Sequence, residues 1–208
     1  MAALLIKHKY IPYLIAVLLI GYFMILAVGN GYVYDETNVL SIVDRAVLGQ
    51  AHIYGGAILD PEGLLSTISA VAHVMIGFCA GKLLMEVKDI HEKLERLFLI
   101  GTILTFAGFL LSYGSPICKK IWSPSFVLIT CGMGSSFLAL LVWIIDIKGY
   151  KGWSRFFESF GVNPLFIYVL ADILAILFAM IPMTYAGEPT SLHGYIYSAL
   201  LQPVFGDK

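Results

Sequence analysis

Five long apolar runs, Tyr10 to Val28, Gly63 to Met85, Leu94 to Tyr113, Pro124 to Ile145 and Phe160 to Pro182, fill most of this chain, with short polar segments between them. Each is close to the ~20 residues that a helix rising ~1.5 Å per residue needs to cross ~30 Å of hydrocarbon. A sixth apolar segment begins at Leu192 and stops at Phe205, too short to span. The residues are 59% hydrophobic and 13% charged, with a mean hydropathy of +0.86. An ordinary soluble domain carries about 25% charged residues, so a soluble core is excluded. The expected fold is all-α: a polytopic transmembrane helix bundle of five full spans plus a truncated sixth, one domain over residues 1–208.

Basic residues orient the bundle. Lys7 and Lys9 precede the first span, Lys82, Lys88, Lys93 and Arg96 surround the turn after the second, and Lys148, Lys151 and Arg155 follow the fourth. The alternate loops hold only Arg45, Lys119 and Lys120, so the amino terminus is expected in the cytoplasm and residues 29–62, 114–123 and 183–191 outside. The three cysteines, Cys79, Cys118 and Cys131, make no disulfide framework and suit small apolar fillers. Asn30, Asn38 and Asn163 form no Asn-x-Ser/Thr sequon, which favours a bacterial cytoplasmic (inner) membrane over a glycosylating lumen. The first run lacks a small-residue cleavage site and is read as a retained helix.

The exterior segment 29–62 is too long for a simple connection. Within it, Val39 to Gly49 has helical apolar spacing with a glycine stop, as a short interfacial helix would, and His52 and Tyr54 follow. Asp60-Pro61-Glu62 then reads as the start of the second span: a capping Asp, a proline at the first helical position and a carboxylate at the positive dipole end. Two carboxylates at a membrane mouth also suit a binding role, and both readings stand. Down the second span Ser66, Ser69, Ala70, His73, Gly77, Ala80 and Gly81 form a small and polar stripe expected to face protein, with Gly77 and Gly81 as a close-packing pair. His73 and Asp172 each lie ten residues from the outer end of their runs, about 15 Å deep, and are expected to face the bundle interior and approach each other. Trp122 and Trp153 suit interfacial anchors, and the charged connector from Glu86 to Arg96 a solvated turn.

Several strings occur together in order: Asp44-Arg45-Ala46-Val47-Leu48-Gly49 with His52 and Tyr54, Asp60-Pro61-Glu62-Gly63-Leu64-Leu65-Ser66-Thr67-Ile68, Gly77 with Ala80-Gly81-Lys82-Leu83-Leu84, Lys120-Ile121-Trp122-Ser123-Pro124-Ser125-Phe126-Val127, Asp146-Ile147-Lys148-Gly149 and Asn163-Pro164-Leu165-Phe166-Ile167-Tyr168-Val169. In this the chain resembles the carboxy-terminal half of the heparan-α-glucosaminide N-acetyltransferase family, from about Val39 to Asp172. The resemblance implies a polytopic enzyme that moves acetyl from acetyl-CoA, a co-substrate on the cytoplasmic side, to the amino group of a terminal glucosamine of a glycosaminoglycan-type acceptor across the membrane. It implies Arg45, His52, Asp60 and Glu62 as acceptor-binding candidates, with Asp60, Glu62 and Asp172 supporting catalysis; by their own chemistry Trp122 and Ser123, with Lys119 and Lys120, suit an anionic or sugar ligand from outside, although anchoring explains them as well. Lys82, Lys148 and Lys151 are the basic residues available to the CoA diphosphate, and Asn163 is a further candidate there. The family's catalytic histidine and its Asp-x-x-Arg-Gly opening lie in the amino-terminal half, and no Asp-x-x-Arg-Gly occurs here. The chain is therefore expected to be a carboxy-terminal portion, inactive alone, with the missing amino-terminal helices as partners. The other expected partners are the lipid bilayer, the amino-sugar acceptor and, as an option, a second copy of the chain; neither a metal nor nucleic acid is expected. The alternatives are a secondary transporter or permease fragment built around a His73/Asp172 pair, and a non-catalytic scaffold.

Overall fold

The computed structural model of the chain describes residues 7–53, 56–185 and 187–206, without the side chains of residues 204 and 205. Tyr54, expected beside His52, lies outside the described residues. A 3-10 turn at His8–Tyr10 leads into α1, Ile11–Val28, with Pro12 in the first turn where its missing N–H goes unneeded. The next helices are α2 over Val39–Val47, α3 over Ser66–Glu86, α4 over Ile90–Leu111 and α5 over Pro124–Val142, which continues as a π turn through Trp143–Ile147. Side chains start three of them: Asn38 accepts from the Leu40 N–H at 2.9 Å, Asp89 from Glu92 at 2.8 Å and Ser123 from Phe126 at 3.4 Å.

His8–Val28, Ser66–Glu86, Ile90–Leu111 and Pro124–Ile147 are each long and apolar enough to cross a membrane. The protein is an integral membrane helical bundle. Its short amphipathic helix at Val39–Val47 is also as expected, and it ends before Gly49, whose φ of 81° is the left-handed conformation that favours glycine.

By its internal contacts the chain divides into two compact units, Met1–Gly149 and Tyr150–Lys208. In the first, Tyr22, Leu26, Leu40, Leu59 and Ile121 close the end of the bundle that carries α2, Leu19, Ala72 and Val127 fill its middle, and Leu97, Ala139 and Val142 pack the opposite end. The tightest helix crossing joins α4 to α5. A Cβ on Gly101 would stand 2.8 Å from the Gly132 carbonyl oxygen, and one on Gly132 2.7 Å from the Gly101 carbonyl oxygen, so only glycine admits this approach. Ser135 Oγ adds a 3.0 Å bond to the Leu97 carbonyl across the same crossing. Close packing was expected instead at Gly77 and Gly81. There a Cβ would meet nothing within 4 Å, and the two glycines border a cavity of about 430 Å³ lined also by His73, Cys79 and Cys131. The first part of the stripe, Ser66 and Ser69, is buried as expected.

In the second unit, the run from Phe160 to Pro182 is not one straight span. Helix α6, Ser154–Val162, and α7, Pro164–Met180, meet at 94°, and only together would they make a fifth span. Pro164 brings no N–H and disfavours helical geometry in the residue before it, so Asn163 sits at φ −130°, ψ 63°. After α7, β1 (Pro182–Tyr185) and β2 (Glu188–Ser191) pair antiparallel from Pro182 opposite Ser191 to Tyr185 opposite Glu188. Gly187 takes φ 90° at the turn. This hairpin departs from the wholly helical expectation. Ser191 then caps α8, Leu192–Ile196, which runs on through a π turn at Tyr197–Leu201 into α9, Gln202–Phe205.

Candidate functional site

The α2 end of the first unit gathers most of the acceptor-binding candidates, and backbone clasps put them there. Asn38 is wholly buried; its Nδ2 donates to the Gly31 carbonyl at 3.0 Å and the Val33 carbonyl at 2.7 Å, while Oδ1 starts α2. One amide thus binds the preceding loop to the helix, and α2 turns Leu40, Ser41 and Asp44 inward.

Asp44 is fully buried, and its Oδ1 accepts the Leu64 N–H at 2.9 Å. Gly63 lies so close that any Cβ there would strike the Asp44 carboxylate. The second oxygen of Asp44 is buried without a hydrogen-bond partner among the described residues. Burial pushes the Asp44 carboxyl above the ordinary range, the Leu64 N–H pulls it back, and the nearby charge of Asp60 raises it again.

Asp60 does not cap the second span, contrary to the helix-start reading. Its Oδ1 accepts the Glu62 N–H at 2.9 Å and its carbonyl accepts the Gly63 N–H at 3.2 Å, which closes an Asx turn over Asp60–Gly63. Helix α3 begins only at Ser66, after 3-10-type bonds from Thr67 to Leu64 and Ile68 to Leu65. A free N–H of this entry is taken by Asp44 from another element, so Asp60 serves the turn. Asp60 is 8% exposed and Glu62 exposed, so the pair presents one near-buried and one open carboxylate.

Loop 118–123 closes the site from the other side. Leu59 and Ile121 share the cluster around Tyr22, whose hydroxyl donates to the Ile121 carbonyl at 2.5 Å. Ser123 is wholly buried; it accepts from the Cys118 N–H at 3.0 Å and the Phe126 N–H, and its hydroxyl meets Ser125 Oγ at 3.1 Å. Between these braces Trp122 is held at φ 49°, a strain of ~1–3 kcal/mol for a bulky residue. Its indole packs edge-on against His73, ring centres 5.3 Å apart, and against Phe126 at 5.8 Å. Trp122 is thus half-buried among rings of α3 and α5.

Arg45, within α2, and His52, just after it, belong to the same end of the first unit. Arg45 pairs with Glu36 at 3.2 Å, and His52 is exposed with Nδ1 2.8 Å from the Leu48 carbonyl. Lys82 lies at the far end of α3, about 24 Å of helical rise from Ser66, paired with Glu86 at 3.4 Å. There it borders a groove of about 220 Å³ with His8 and Arg96. Lys148 is exposed, its Nζ 5.1 Å from the Trp143 ring centre. Asn163, at the bend, and Asp172, within α7, are exposed residues of the second unit. Among the described residues no trio of His, Cys, Asp or Glu is placed to hold a metal. Sequence reasoning missed Asp44 and Tyr22 as site-building residues. An acid between apolar positions of an amphipathic helix is a signal for the first; a tyrosine inside an apolar run gives none.

No protein-family model matches the chain. Over 154 aligned residues it is 30% identical to a heparan-alpha-glucosaminide N-acetyltransferase of Mus musculus, taking in 64% of this chain and 23% of the mouse protein. Over 149 residues it is 32% identical to the protein of the same name from Homo sapiens, covering 61% of this chain and 22% of the human one. The resemblance carried by the motifs is therefore a measured sequence relationship, and the chain spans under a quarter of the length of these relatives.

Proposed function

We propose that this chain forms part of a membrane-embedded acetyltransferase that moves acetyl from acetyl-CoA to the amino group of a terminal glucosamine-type sugar. The observation that carries it is the Asp60–Gly63 turn, held at one end of the bundle by Asp44, in a chain related to N-acetyltransferases of a glucosaminide. The bias of basic residues supports an α2 end outside and an amino terminus in the cytoplasm, and the lack of an Asn-x-Ser/Thr sequon supports a bacterial inner membrane. The groove of Lys82, His8 and Arg96 then faces the cytoplasm, where cations suit the CoA phosphates.

In the transfer, the amine nitrogen bonds the acetyl carbon, the thioester C–S bond breaks, CoA leaves as the thiol, and the sugar ammonium gives up a proton. Asp60 and Glu62 bind and orient the ammonium by charge-assisted hydrogen bonds; the resemblance assigns the catalytic histidine to amino-terminal helices. Nothing in the similarity favours the transporter alternative.

The test is Asp60→Asn with labelled acetyl-CoA and glucosamine, in the enzyme complete with those helices. Asn retains the acceptor atom for the Glu62 N–H, so the turn survives while the charge is lost. Acetyl transfer is expected to fall about tenfold or more, with unchanged membrane insertion and melting. Wild-type turnover would reduce the motif to a turn.

A further inference from the structure

Helix α6 and the residue before it carry four aromatic rings on one side. At 3.6 residues per turn Trp153, Phe156, Phe157 and Phe160 fall within a sector of about 100°, with Arg155, Glu158 and Ser159 opposite. The rings lean on one another, with centres 5.6, 5.2 and 4.9 Å apart along the row. Phe156 is nevertheless 63% exposed and Phe157 59%, so nothing among the described residues covers this side. The polar side satisfies itself. The Ser154 hydroxyl lies 2.9 Å from both the Lys151 carbonyl and the Glu158 carboxylate, and Ser159 Oγ donates to the Arg155 carbonyl at 3.1 Å. Glu158 is thereby engaged, and among the described residues no carboxylate lies within ion-pair distance of the exposed Lys151 or Arg155.

The angle to α7 says what lies against those rings. Asp172 is the only charged residue of α7, whose 17 residues rise about 25 Å, near the thickness of the hydrocarbon. With α7 tilted by the ~20° of an average span, its 94° bend to α6 holds α6 within roughly 25° of the membrane plane. A helix in that plane with rings on one side and unpaired cations on it meets the boundary between headgroups and acyl chains. We propose that α6 is an in-plane interfacial helix: Trp153, Phe156, Phe157 and Phe160 sink into an anionic lipid leaflet, Lys151 and Arg155 meet its phosphates, and α7 goes on through the hydrocarbon. The bent pair therefore enters the membrane flat and turns down at Asn163-Pro164. Lys151, a candidate for the CoA diphosphate by sequence, is given to the lipid surface by this placement. The side of the membrane, cytoplasmic, rests on the bias of basic residues. The flat posture and the anionic preference do not, and none of it rests on the acetyltransferase reading.

The experiment reads single nitroxide labels in the full chain in nanodiscs, on a background lacking native cysteines. Labels at 153, 157 and 160 report on the aromatic side and one at 159 on the polar side; all four positions are exposed, so folding is not at stake. Collision with oxygen, which dissolves in lipid, and with a neutral water-soluble nickel chelate gives the depth of each label. The three aromatic-side labels are expected to be rich in oxygen, poor in chelate and level to within about 5 Å, while the label at 159 meets the chelate. Depth that grows steadily, by ~10 Å from 153 to 160, makes α6 the first arm of a transverse span and overturns the proposal. Exclusion of both reagents, the mark of a covering protein partner, overturns it too, as does chelate access on every side. In nanodiscs containing phosphatidylglycerol, chelate access at 157 is expected to be at least about twofold lower than in phosphatidylcholine alone, a difference that narrows as salt is raised. Lys151→Gln combined with Arg155→Gln is expected to erase that difference. A difference that survives the double variant, or none in the wild type, overturns the anionic preference.

Discussion

Asp44 and Leu64, 20 residues apart, are joined by a 2.9 Å hydrogen bond from the Leu64 N–H to the Asp44 carboxylate. The bond fastens amphipathic helix α2 to the entry of a membrane span, so the Asp60 turn is tied on its Leu64 side.

Asp44→Ala is therefore expected to lower stability by about 1–3 kcal/mol, because it leaves the Leu64 N–H without its acceptor. Asp44→Asn retains an acceptor and should cost less. Unfolding midpoints of the two variants in detergent, measured against wild type, check the order; an alanine as mild as asparagine would remove the bond from the account.

Two glycines of the second apolar run should respond oppositely. At Gly63 a Cβ meets the Asp44 carboxylate and stands 3.2 Å from the Asp60 carbonyl, so Gly63→Ala should displace the turn and lower the melting temperature. At Gly77 nothing lies within 4 Å, and Ala in mid-helix is better than Gly by about 0.5–1 kcal/mol, so Gly77→Ala should be neutral or stabilising.

The Asp44 carboxyl titrates above its ordinary value, through burial first and the Asp60 charge after it, against the opposing Leu64 N–H. A raised carboxyl pKa means the folded state favours the proton. Its contribution to stability is complete below the ordinary carboxylate pKa and is lost as pH climbs through the elevated value. The stability difference between wild type and Asp44→Asn should shift against wild type across that window. A difference that does not change with pH would show that Asp44 does not titrate there.

For orientation, single cysteines at 50 and 92 in a background lacking native cysteines give opposite expectations. Gln50 and Glu92 are both exposed. Position 50 should be labelled by an impermeant thiol reagent applied outside intact cells, and position 92 only after permeabilisation; the reverse pattern would invert the sides assigned to the Asp60 turn and the Lys82 groove.

The membrane-spanning helices were legible because each depends on a local property. Twenty apolar residues suffice to read α1, α3, α4 and α5, and the spacing of Val39 to Gly49 suffices for α2. The bend at Asn163-Pro164 has a local cause, since proline acts on its immediate neighbour, but its 94° angle was not legible in the sequence. The hairpin after α7 was missed because strands of four residues carry too little pattern to read.

The candidate site divides the same way. Asp60, Glu62, Trp122 and Ser123 stood out as polar or aromatic residues at the edges of apolar runs, and the order of the motifs tied them to a family. What they do locally depended on distant partners. Asp60-Pro61-Glu62 fits a helix cap by spacing alone, and only the approach of α2 put Asp44 on the free N–H and left Asp60 to the turn. That loop 118–123 holds Trp122 at a positive φ with its ring edge-on to His73 could not be read from its place beside an apolar run. By itself the sequence determined which segments are long and apolar enough to cross the lipid, because hydropathy and length act residue by residue along the chain. Which buried oxygen meets which N–H, and which pair of helices approaches through glycine, only the tertiary structure decided, because those choices depend on residues far apart in the chain arriving together.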